Sequence, residues 1–162
     1  MSQDRPDLAY AAKEMCRQFA VPTTDSLLHL KRLIRYLAKS PRLVYHFRWQ
    51  ERSPALNIFV DTDFAGCRIT RRSTSGGVAF RGSHCLRHWS STQATIALSS
   101  GEAELGGLCK GATHGLGLRS MSLDLGIELC IHLRSDATAA IGMSRRLGVG
   151  RVRHLDTSLL WL

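Results

Sequence analysis

The run Ile58-Phe59-Val60-Asp61-Thr62-Asp63-Phe64-Ala65-Gly66 constrains this chain more than any other stretch. Three strand-favouring apolar residues pass directly into two carboxylates and then into a small-residue turn. Backbone pairing holds such a strand rigid, so an acid at its end is fixed at the rim of a sheet, within reach of solvent, metal or substrate. Three later acids, Glu104, Asp136 and Asp156, stand at comparable element ends. The remaining sequence reads as scaffold that gathers these four carboxylates. Asp63 is expected on the opposite side of the strand from Asp61, as a structural acid or a support for the site.

Charge points the same way. The 162 residues carry 22 Lys and Arg against 13 Asp and Glu, a formal net charge of +9, which favours an anionic partner, most commonly nucleic acid. A hydrophobic content of 44% supplies a core and excludes wholesale disorder. The five cysteines are scattered, with no C-x-x-C pair, which argues against a disulfide framework and for a reducing compartment. His84, Cys85 and His88 lie close together but lack a second pair at ligand spacing, so no zinc is expected. No apolar run approaches the roughly 18 residues of a membrane span, and no signal peptide opens the chain, so an intracellular protein without membrane partners is expected.

Periodicity places the elements. Leu8, Ala11, Ala12, Met15 and Phe19 recur at helical steps over 7–19 behind Pro6. A second helix follows a cap at Thr23, Thr24 or Asp25, with Leu27, Leu30, Leu33, Ile34 and Leu37 as one stripe and Lys31, Arg32, Arg35 and Lys39 opposite. A strand is expected over 43–49, then a linker at Glu51-Arg52-Ser53-Pro54 that divides a helical segment, 1–52, from a second domain, 55–162. There, strands at Val78-Ala79-Phe80 and Leu86–Trp89 continue an antiparallel meander from the opening strand. Ser99 with Glu102 has capping-box spacing, so a long helix begins there, its buried stripe Leu105, Leu108, Ala112 and Leu116, with Glu104 near the stripe's edge. Its glycines at 106, 107, 111, 115 and 117 cost about 0.5–1 kcal/mol each against alanine. They either permit close packing on a sheet or mark a sequence drifting without selection. A strand over 127–133 then delivers Ser135-Asp136 to a further helix.

Carboxylates brought together repel one another unless a hard divalent cation compensates. Two Mg²⁺ ions about 3.5–4 Å apart can clamp a scissile phosphodiester, while surrounding cations hold the polyanion. A basic protein with an acidic site is therefore coherent as a nuclease. Each acid taken singly has an ordinary explanation, Asp61 and Asp136 as turn formers or helix caps and Glu104 as surface decoration.

Several motifs in register sharpen this. Val60-Asp61-Thr62-Asp63-Phe64-Ala65-Gly66-Cys67, Thr70-Arg71-Arg72-Ser73-Thr74-Ser75-Gly76, Ala97-Leu98-Ser99-Ser100-Gly101-Glu102-Ala103-Glu104, Ser135-Asp136-Ala137-Thr138-Ala139-Ala140-Ile141 and Arg153-His154-Leu155-Asp156 together resemble the ribonuclease H domain of copia-type retrotransposon Pol polyproteins. Arg5-Pro6-Asp7-Leu8-Ala9-Tyr10-Ala11 and Lys31-Arg32-Leu33-Ile34-Arg35-Tyr36-Leu37 resemble the end of the preceding reverse transcriptase region. The resemblance implies an α/β, ribonuclease H-like fold: a five-stranded mixed sheet, its first three strands antiparallel, with helices on both faces, cut short at its C-terminus. It makes Asp61, Glu104, Asp136 and Asp156 the acids that bind two Mg²⁺ or Mn²⁺ ions, with His154 in substrate or product handling. Arg71, Arg72, Arg145 and Arg151 are expected to contact nucleic acid. The implied reaction is endonucleolytic hydrolysis of the RNA strand of an RNA–DNA hybrid, leaving 3′-hydroxyl and 5′-phosphate ends. The implied partners are that hybrid and the remainder of the polyprotein, in the cytoplasm or nucleus with a retrotransposon particle. The alternative is an inactive remnant of this fold that binds nucleic acid or only folds.

Overall fold

A computed structural model describes residues 4–146, 159 and 161–162, and the chain divides into two compact units, 1–48 and 49–162. In the first, Pro6–Leu8 forms one 3-10 turn that leads into α1 (Ala9–Gln18). α2 (Thr24–Lys39) is closed at its start by a capping box, in which the Thr23 hydroxyl accepts from the Ser26 backbone N–H and Ser26 Oγ accepts from that of Thr23.

Leu8 and Met15 are buried, whereas Leu27, Leu28 and Ile34 stay exposed. The expected α2 stripe is thus only partly used, because two helices alone cannot cover a face that wide. An Arg5-centred network ties the start of α1 to the end of α2. Arg5 forks onto Asp7 at 3.0 and 2.9 Å and donates to the Ser40 carbonyl at 3.0 Å, while the Tyr36 hydroxyl donates to Asp7 at 2.8 Å.

The strand expected over 43–49 is absent. None of its residues is in a strand, and Val44 and Trp49 are 68% and 88% exposed. Apolar alternation makes a strand only where a ladder partner exists, and Tyr45 and Phe47 instead stack on each other, centroids 6.1 Å apart.

The second unit is a mixed four-stranded sheet in the order β3-β2-β1-β4. β1 (Ala55–Asp63) pairs antiparallel with β2 (Thr74–Arg81) and parallel with β4 (Cys130–Arg134), while β2 pairs antiparallel with β3 (His84–Thr92). Gly82, at φ +58°, turns the β2–β3 hairpin. Gln50 staples that turn, donating to the Arg81 carbonyl and accepting from the Ser83 backbone and hydroxyl, each at 2.8 Å. α3 (Ser100–Asp124) ends where Gly126 takes φ +71°, and α4 (Thr138–Ser144) packs against α3.

Burial alternates strictly along β1. Leu56, Ile58, Val60 and Thr62 face α3, while Phe59 on the other face is 45% exposed. Four strands are found among the described residues, and α3 covers one face of the sheet; a fifth strand and helices on both faces are not seen among those residues. The buried stripe of α3 holds as expected at Leu105, Leu108 and Ala112 and fails at Leu116, and it widens to take in three glycines. Gly107, Gly111 and Gly115 lie over β1, Leu105 and Leu108 belong to the core with Ala140, and Leu116 is exposed. No helix among the described residues is long and apolar enough to cross a membrane.

Candidate active site

Topology brings three of the four expected acids to one end of the sheet. β1 and β4 run parallel with Phe59 opposite Arg134, so two residues further along each chain stand Asp61 and Asp136, on adjacent paths. Glu104 arrives from the first turns of α3, one turn before Gly107, whose Cα rests against the Thr62 hydroxyl. A side chain at position 107 would push the helix off that hydroxyl and carry Glu104 away with it.

The electrostatics record the convergence. Burial, and then the charges of Asp61 and Asp136, push the Glu104 carboxyl above the ordinary glutamate range. The backbone and hydroxyl of Thr62 face it and offset part of that rise. Neither Thr62 Oγ1 nor Glu104 Oε2 completes a hydrogen bond among the described residues, although both atoms are buried. Asp61 Oδ1 accepts from the Thr62 backbone N–H at 2.8 Å, which restrains the carboxylate's rotation. The three carboxylates sense one another without closing into a preformed ligand cage: among the described residues no three His, Cys, Asp or Glu side chains converge as a metal-binding group.

The two glutamates of the Glu102-Ala103-Glu104 segment do different work. Ser99 Oγ accepts from the Glu102 N–H at 3.2 Å, and the Glu102 carboxylate accepts from the Leu98 N–H at 2.7 Å. That is one half of the expected capping box, with the carboxylate reaching one residue further back than the motif requires. Glu102 also borders a hollow of about 370 Å³ with Thr92, Gln93, Gly106 and Lys110, on a face of α3 turned away from Glu104.

Asp63 does not lie opposite Asp61. Residues two apart in a strand share a face, and both are exposed around the buried Thr62. The Asp63 carboxylate lies so close to the Gly66 Cα that any Cβ there would collide with it, so its role is to shape the turn after β1.

Arg71 and Arg72 sit on the β1–β2 loop at the same end of the sheet as the acids. Arg145 is the C-cap of α4, about 10 Å along the helix from the Asp136 side. Asp156, His154 and Arg151 lie outside the described residues. Sequence reasoning missed Thr62 as the partner surface of Glu104. Its signal was available, because a hydroxyl between two acids on an alternating strand has to point inward.

Comparison with known proteins gives a consistent set of relatives. An uncharacterized mitochondrial protein of Arabidopsis thaliana is 35% identical over 102 residues, covering 62% of this chain and 41% of that protein. The retrovirus-related Pol polyprotein from transposon RE1 of the same plant is 30% identical over 125 residues, 77% of this chain and 8% of the polyprotein. A secreted RxLR effector protein of Plasmopara viticola is 35% identical over 100 residues, 62% of this chain and 70% of that protein. The chain therefore spans less than half of the mitochondrial protein and under a tenth of the polyprotein. No family model matches it, and no solved structure is similar to it.

Proposed function

We propose, from the chain's similarity to the retrovirus-related Pol polyproteins of copia-like plant transposons, that its second unit hydrolyses the RNA strand of RNA–DNA hybrids with the help of divalent metal ions. The observation that carries this reading is Glu104, a half-buried carboxyl raised by burial and by Asp61 and Asp136 at the end of one sheet. A fold gains nothing in stability from three acids placed together, so their juxtaposition argues for a ligand that rewards it.

The residues fit a hard divalent cation. All three donors are carboxylates, and Glu104 Oε2 is a buried oxygen with no partner among the described residues. Asp61, Glu104 and Asp136 would hold Mg²⁺ or Mn²⁺, with Asp156 the fourth acid that the family resemblance implies. When bound, such ions supply an activated water and neutralise charge at the scissile phosphate.

The chain's own residues do the positioning. The Thr62 N–H orients Asp61, the glycine row lets α3 set Glu104 beside it, and the β4 register sets Asp136 level with both. Arg71 and Arg72 supply positive charge beside the acids for the backbone of the hybrid. The remainder of a reverse transcriptase polyprotein is the natural partner of such a unit.

The test is cleavage of a labelled RNA–DNA hybrid in Mg²⁺ or Mn²⁺, with Asp61→Asn as control. The expected result is RNA-strand cleavage that disappears with chelator and in the variant. A folded chain that leaves the hybrid intact in both metals sinks the reading and leaves the inactive remnant.

A further inference from the structure

The loop between β1 and β2 ends in the most exposed large hydrophobic side chain among the described residues, Ile69 at 93%. Arg68, Arg71 and Arg72 surround it, all exposed, and none forms an ion pair among the described residues. An apolar tip ringed by free arginines is costly to keep in water.

The loop is nonetheless built rigidly. Arg71 N–H donates to the Cys67 carbonyl at 2.7 Å, Cys67 N–H to the Arg72 carbonyl at 3.2 Å, and Thr70 N–H to Cys67 Sγ at 3.3 Å. At its base the fully buried Ser73 takes the Ala65 N–H on its hydroxyl at 3.0 Å and the Gln93 N–H on its carbonyl at 2.8 Å. Ala65 and Arg71 both adopt left-handed backbone, at φ +52° and +55°, a conformation that costs a non-glycine residue energy and persists where the surroundings impose it.

We propose that loop 64–73 is a duplex-reading finger: Ile69 enters the minor groove of a nucleic-acid duplex as an apolar wedge while Arg68, Arg71 and Arg72 grip the flanking phosphates. That the duplex is an RNA–DNA hybrid rests on the hydrolase reading above. The position is right for it, because the loop leaves β1 just beyond Asp61 and returns at Thr74, opposite Asp63, so the wedge stands at the same sheet end as the acids. The chemistry favours a duplex over a single strand. Wedges flanked by arginines suit a groove, and A-form-like duplexes present a wide, shallow minor groove. Single strands are gripped by base stacking on aromatic rings, and the 67–72 tip carries none, the loop's one ring being Phe64 at its base.

The experiment measures binding by fluorescence anisotropy, using the full chain in chelator so that no cleavage intervenes. The probes are a labelled RNA–DNA hybrid and the matching single-stranded RNA. Ile69→Ser is expected to weaken hybrid binding roughly tenfold while leaving single-strand binding unchanged. Arg71→Gly relieves the left-handed backbone while removing one charge, so it should keep the loop's shape and reduce the salt slope of hybrid affinity by about 0.9. Unchanged hybrid affinity in both variants, or an equal loss on single strand and hybrid, overturns the finger. Finger-dependent binding by a chain that never cleaves in Mg²⁺ or Mn²⁺ supports the finger and counts against the hydrolase reading alone.

Discussion

Gly111 on α3 stands so close to β1 that a Cβ built on it would come 2.5 Å from Val60 Cγ1 and 2.9 Å from Leu133 Cδ1. Gly107 and Gly115 meet Thr62 and Ile58 in the same way, one turn to either side. Of the two explanations open for the glycines of this helix, close packing accounts for these three. Each gives up helix propensity so that the helix can approach the strand that carries Asp61.

Glycine-to-alanine substitution along α3 should therefore change sign with position. Gly111→Ala forces a methyl into Val60 and Leu133 and is expected to destabilise by about 1–3 kcal/mol. Gly117→Ala meets nothing within 4 Å and should stabilise by up to about 1 kcal/mol. Urea unfolding of the two variants, compared at equal m-value, reads the contrast directly. Destabilisation at both positions would mean the helix is not held as described.

Glu104 makes the folded state sensitive to pH in a direction unusual for an acid. Its carboxyl titrates above the ordinary value of 4.5 when folded, so the folded chain holds that proton longer than the unfolded one. Its contribution to stability is thus best below the unfolded pKa and is lost as pH rises through the folded pKa. Glu104→Gln should raise the melting temperature near neutral pH, by about 1–3 °C, and, if the proposed site binds Mg²⁺ or Mn²⁺, abolish the rise in melting temperature expected of the parent chain with metal. Thermal melts of the two chains at pH 4 and 7, with and without metal, check both halves; a Glu104→Gln chain less stable than the parent at pH 7 contradicts the first.

If the three acids act as one site, removing any of them should be costly and removing two should add little. Asp61→Asn, Glu104→Gln and Asp136→Asn are each expected to lower hybrid cleavage by at least about 100-fold. Glu102→Gln should lose helix-cap stability and retain most of the cleavage, because its carboxylate is engaged with the Leu98 N–H. Single-turnover cleavage of the labelled hybrid decides between the two glutamates.

In the first unit, the Arg5 guanidinium and then the Tyr36 hydroxyl hold the Asp7 carboxyl at about 2, against an ordinary 3.8. A depressed acid stabilises above its unfolded pKa, and that support is lost as pH falls through the folded value. Acidification from pH 4 toward 2 should loosen the clamp between α1 and the end of α2, and Asp7→Asn should show that loosened state already at pH 7. Far-UV circular dichroism of unit 1, or amide exchange at Ser40, follows the change. A parent chain whose helical signal is as acid-sensitive as the variant's rules the clamp out.

Much of this molecule was legible in one dimension, because its strongest signals are local. The apolar run into Asp61, the Ser99 cap and the strand that delivers Asp136 all depend on residues a few positions apart. Capping, turn chemistry and strand propensity act at that range. What only the tertiary structure decided depends on partners distant in sequence. The 43–49 stretch alternates like a strand and joins no sheet among the described residues. The buried face of α3 takes in its glycines beside Leu105 and Leu108, because β1 sets how near the helix can come. Asp61, Glu104 and Asp136 are 43 and 32 residues apart along the chain. They meet at one sheet end because β1 and β4 run parallel as neighbours and α3 packs against β1, and no local pattern encodes that register.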